Sequence, residues 1–103
     1  MTLTLAEIQE RDNRAALATG RLRNIGEARG VQSLLVEDVQ SNVAGRVNAG
    51  TYEERWLLKC MTADLPELPV PQQALRVDDA MYIVETVQDI EGMLDLRLVV
   101  RRA

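Results

Sequence analysis

The residues able to do proton-transfer or covalent chemistry are few, and their spacing argues against its use. The 103-residue chain has no histidine and one cysteine, Cys60. A histidine general base and a histidine metal site are both excluded. Cys60 sits in the apolar run Trp56-Leu57-Leu58-Lys59-Cys60-Met61, where a cysteine behaves as a small buried hydrophobe. The best carboxylate pair for acid–base work is Asp78-Asp79. Neighbouring residues of a strand point to opposite faces, however, and a tight turn accounts for both aspartates without catalysis. Glu37-Asp38 and Glu53-Glu54 read as solvated strand edges. The alternating acids of a calcium loop are missing, and Gly45 and Gly50 are followed by neither a lysine nor a helix signal. The expectation is a protein that is not an enzyme and has no cofactor, metal or small-molecule ligand.

Recognition by surface is the remaining class. Residues 1–30 carry a net charge of +1 and residues 31–103 a net charge of −5. Arg14, Arg21, Arg23 and Arg29 therefore form a basic stretch on an acidic body, a pattern that suits docking onto an acidic partner. The overall charge of −4 disfavours non-specific nucleic-acid binding. A second candidate surface is the polar stretch from Gln40 to Thr51, with Val43, Arg46 and Val47 inside it and Tyr52 and Trp56 just beyond. A loop this long is commonly functional or disordered. Trp56 is the one indole. Core filling is its ordinary role, and interface anchoring is the rival. These nine residues are the candidate partner interface.

The elements that would hold these residues follow from pattern. Thr4-Leu5-Ala6-Glu7 is a capping box and predicts a helix running to about Ala18, with Gly20 as its stop. Its apolar stripe is thin, which predicts a loosely docked helix. Val31–Val39 and Glu54–Ala63 read as strands, the second apolar on both faces. Three prolines between Pro66 and Pro71 forbid helix or ladder there and predict an extended crossing of one end of the domain. Ala74–Val77, Met81–Gln88 and Met93–Arg101 then read as three strands joined by turns at Asp78-Asp79 and at Asp89 to Gly92. In the last strand Leu94, Leu96, Leu98 and Val100 alternate with Asp95, Arg97 and Arg101, giving one buried and one wet face.

The fold class predicted is mainly β: a small antiparallel barrel or sandwich of about five strands with a short N-terminal helix. Residues 1–30 form the helix and a flexible basic arm, and residues 31–103 form the β-domain with a long loop at 40–53. Deleting residues 1–24 should then leave the β-domain folded. The lone cysteine suits a reducing compartment, and the N-terminus shows no apolar run of signal-peptide length. A soluble protein made in a cytoplasm, with no membrane partner, is expected.

Asp64-Leu65-Pro66, Val77-Asp78-Asp79 ahead of Tyr82-Ile83-Val84, and Gly92 before the last alternating strand together resemble the small head–tail joining proteins (head-completion or connector proteins) of long-tailed phages and prophages. The likeness spans residues 31–101. Where that family commonly has glycine at the turn before the tyrosine, this chain has Asp79-Ala80. The resemblance implies a virion protein, assembled in the bacterial cytoplasm, that forms a ring with itself between portal-side and tail-side proteins. DNA would pass through the ring without specific binding. The alternative is a small cytoplasmic binding module acting by strand addition or by loop-mediated protein recognition.

Overall fold

The computed structural model describes residues 2–38 and 52–102. Among these residues one helix, α1 (Leu5–Ala16), precedes six strands: β1 (Arg21–Ile25), β2 (Ala28–Glu37), β3 (Tyr52–Met61), β4 (Ala74–Val77), β5 (Ala80–Ile90) and β6 (Met93–Arg102). A single 3-10 turn, Thr62–Asp64, follows β3. All strand pairs are antiparallel, and the sheet closes as a barrel in the order β1-β2-β3-β6-β5-β4.

The alternation in β6 does set the core. Leu94, Leu96 and Leu98 point inward with Leu58, Cys60 and Val84, each at most 1% exposed, while Arg97 faces solvent. The long β3–β6 ladder places Leu58 opposite Leu96 and Cys60 opposite Leu94, so inward residues meet inward residues. In β5 the alternation changes parity. The register against β6 shifts between Val84 and Thr86, so that Val84 faces inward opposite Leu98 and Val87 faces inward opposite Leu96. Glu85 is the extra residue of this bulge.

Three hairpins use two-residue turns. Gly26 (φ 56) opens the β1–β2 turn, Asp78 (φ 52) opens the β4–β5 turn, and Glu91 and Gly92 (φ 51 and 87) make the β5–β6 turn. The β5–β6 turn, with positive φ at both central residues, has the type I′ pattern, whose twist matches that of the strands.

The mainly β fold with a short N-terminal helix is as expected from the sequence, with six strands described where about five were expected; the added one, β1, lies in the stretch expected as an arm. Arg21–Ile25 is a strand that pairs with β2 and closes the barrel against β4 at Ile25↔Val77. Its composition hides it: Arg21-Leu22-Arg23-Asn24-Ile25 puts arginines where an inward face would call for apolar residues. Arg23 is accommodated because its Nη1 donates to the Ser33 carbonyl at 2.7 Å and to the Ser33 hydroxyl at 3.3 Å. The connection from α1 depends on Gly20, where any Cβ would collide with the backbone carbonyl of Ser33.

Helix α1 begins as its capping box predicts, with the Thr4 hydroxyl accepting from the Glu7 amide at 3.1 Å. It attaches to the barrel through its C-terminal half. Asn13 is buried and donates through Nδ2 to the Glu91 carbonyl at 2.9 Å. Leu17, 1% exposed, plugs the space beyond the helix, and Gln32 Nε2 donates to the Leu17 carbonyl at 2.8 Å. Leu5, in the first turn, stays 82% exposed. Past the 3-10 turn, Leu65 packs on the core and Pro69 is buried, so the proline-rich stretch covers part of the barrel surface.

Candidate functional site

Asp78 is occupied structurally. Its Oδ1 accepts from the Asn24 amide at 2.9 Å, its own amide donates to the Asn24 carbonyl at 2.7 Å, and Arg21 Nη2 lies 3.8 Å from Oδ2. With Gly26 N–H donating to the Arg76 carbonyl at 2.7 Å, these contacts seal the short β1–β4 seam. Asp79 occupies the second turn position and is exposed. Asp78-Asp79 therefore works as a turn and a strap.

Cys60 lies inside the barrel, fully buried. Burial, with Asp64 nearby adding a smaller effect of the same sign, pushes its thiol up to about 12. A thiol so far above neutral pH is not a nucleophile. Among the described residues no group of three or more His, Cys, Asp or Glu is arranged to hold a metal ion. No helix among them is long and apolar enough to cross a membrane.

The four arginines expected to act as one arm are distributed over three elements. Arg14, on α1, bonds Glu10 at 3.3 Å and Asp64 at 3.5 Å, and these two carboxylates raise its pKa, Glu10 foremost. Arg21 is exposed beside Asp78. Arg23 is half-buried, and desolvation followed by repulsion from Arg21 lowers its pKa. Its Nε is buried with no hydrogen-bond partner. Arg29 is exposed on β2. Arg14, Arg21 and Arg29 thus keep exposed charge, Arg14 sharing its own with Glu10 and Asp64, while Arg23 is drawn toward the barrel.

Trp56 is half-buried in β3 opposite Glu37 and Leu98, packs against the core, and donates through Nε1 to Glu54 at 3.0 Å. Its role is that of a core-edge residue with a satisfied indole N–H. Tyr52 pairs with Arg102 along the β3–β6 ladder. Val43, Arg46 and Val47 lie outside the described residues, as does the rest of the stretch from 39 to 51.

The sequence pattern did not single out a groove that the fold creates between α1 and the barrel. It has a volume of about 810 Å³ and is lined by Leu5, Ala6 and Gln9 of the helix, Met61 at the end of β3, Ala63 just beyond it, and the β5–β6 turn. The Thr62 amide donates to the Gly92 carbonyl at 2.9 Å, and the Gly92 amide donates to Asp89 Oδ1 at 3.0 Å, which fixes the floor. Three carboxylates line it, those of Glu10, Asp89 and Glu91, and no basic residue does. The groove exists because the helix is anchored at Asn13 and Leu17 and not at its first turn. The thin apolar stripe of Leu5 and Ile8 was the only sign of it in the sequence.

Comparison of the chain with protein-family models, with curated proteins and with solved structures found no match.

Proposed function

We propose that this chain is a structural adaptor of a long-tailed phage or prophage virion, forming a ring between the portal side of the head and the tail. The observation that carries the reading is the resemblance across residues 31–101, from Asp64-Leu65-Pro66 through Val77-Asp78-Asp79 to Gly92 and the alternating last strand. The closed barrel with a helix at its N-terminal end is the kind of architecture that resemblance implies. The potential reactive groups support the same reading: Cys60 is sealed in the core and Asp78 is committed to the seam.

The barrel interior is filled by Leu58, Val84, Leu94, Leu96 and Leu98. A DNA channel would therefore be the bore of a ring of copies and not the lumen of one barrel. The net charge of −5 over residues 31–103 would let duplex DNA slide along that bore without adhering. Partners in this account are further copies of the chain, a portal-side protein and a tail-side protein. The site of action is the virion, after assembly in the bacterial cytoplasm. Sedimentation of the protein alone and with candidate portal and tail proteins tests it. Weak self-association alone and a larger complex with a partner are expected; binding to neither partner would overturn it.

One observation favours the second reading, a binding module that works by strand addition. The β1–β4 seam pairs at a single register position, Ile25↔Val77, which among the described residues leaves the Arg21–Arg23 edge of β1 without a strand neighbour on that side. A peptide that adds there would protect the amide of Leu22, which shares its outward direction with that of Asn24, from hydrogen exchange.

A further inference from the structure

We propose that the groove between α1 and the barrel is a docking site for a basic, amphipathic helix of a partner protein. The apolar part is in place. Leu5 is 82% exposed, and Ala6, Met61 and Ala63 line the same groove. Ile90, next to the lining residue Asp89, is 50% exposed. Leaving large aliphatic side chains open at one end of so small a core loses burial that a seated apolar side chain would restore.

Charge selects the occupant. Glu10, Asp89 and Glu91 line the groove with no base among them, and Asp64 follows directly on Ala63. Arg14 does not neutralise this rim, since one guanidinium is shared between Glu10 and Asp64. An acidic ligand would be repelled, whereas a segment with leucine-like residues on one face and lysine or arginine flanking them would match both floor and rim.

Backbone chemistry selects a helix. The groove is walled by α1, the 3-10 turn and the Glu91-Gly92 turn, and its strand residue Met61 is already paired with Met93. An extended peptide would find no strand edge for its amides and carbonyls there. A helix arrives with those groups satisfied. The chain's own basic end, Arg101-Arg102, cannot fill the groove in the same molecule. Along β6 it lies nine residues from Met93, at the opposite end of the strand.

The proposal goes beyond the adaptor reading and is separable from it. A protein that rings but leaves the groove idle, or a monomer that fills it, would distinguish the two. The test uses the full chain and a synthetic peptide with leucine and lysine at helical spacing. Two controls accompany it: the same residues in scrambled order, and a leucine–glutamate version. Fluorescence anisotropy should show binding of the first peptide alone, weakened by salt. Ala6→Trp, which fills the groove, and Glu91→Lys, which reverses its rim, should each weaken binding by about tenfold or more. Leu5→Ser, at an exposed position, should do so with an unchanged thermal melt. Equal binding of the scrambled peptide, or binding indifferent to all three substitutions, would overturn the proposal. So would sedimentation showing that the protein self-associates through the groove and is made monomeric by Ala6→Trp, since the occupant would then be a second copy.

Discussion

Glu91 holds the left-handed conformation at φ 51, where a side chain other than glycine or asparagine is strained. Its carbonyl receives the Asn13 amide, so the backbone there is needed and the side chain is not. Glu91→Asn should therefore stabilise the protein by about 1 kcal/mol, read as a higher midpoint in urea, because asparagine tolerates this region and suits a type I′ turn. A lower midpoint would mean that the glutamate makes a contact the geometry does not suggest. Asp78 is the opposite case. Asp78→Ala would leave the Asn24 amide unpaired at the seam and should cost about 1–3 kcal/mol.

Cys60 gives a pH signature. Its folded pKa, near 12, lies above that of an exposed thiol, so the neutral thiol is favoured in the fold. Its contribution to stability is complete below the unfolded pKa. It declines as pH rises from there through the folded value, because the unfolded state ionises first. Chemical denaturation from pH 8 to pH 11 should show a decline that is shallower in Cys60→Ala. Folded protein should also resist thiol reagents at pH 8. Rapid labelling without unfolding would contradict the burial.

At the scale of elements, most of the sheet was legible and one strand was not. β4 and β6 follow from alternation, and the helix start follows from its capping box. Leu96→Asp should cost several kcal/mol because the position is 1% exposed, while Arg97→Asp, at an exposed position 3.9 Å from Asp38, should be mild by comparison. Similar losses from both in thermal melts would put β6 out of register.

β1 escaped because its inward-facing arginine is held through Nη1 by Ser33, a contact made across the hairpin that no local pattern announces. The parity change at Glu85 escaped for a related reason. A bulge is decided by the partner strand, here through Val84↔Leu98 and Thr86↔Arg97. The groove was equally hidden, because it arises from where α1 is anchored and not from what α1 contains. These findings reverse the expectation for truncation. Deleting residues 1–24 removes most of β1 together with Leu17, so cooperative unfolding should be lost. A retained sharp transition would show that the barrel does not need its first strand.

The whole molecule is an aliphatic-filled barrel, and under the adaptor proposal its recognition lies on its outside. The arginines are less an arm than separate fixtures. Arg14 holds the helix near Asp64, Arg23 braces β2, and Arg21 lies beside the strap at Asp78. The adaptor proposal then requires that copies meet side by side with the DNA path between them, because the lumen is full. Electron microscopy of the protein incubated with a portal-side or tail-side partner tests this most directly. Closed rings with a bore that admits duplex DNA are the predicted result. A protein that stays monomeric with either partner, as judged in the same images and by sedimentation, would contradict it.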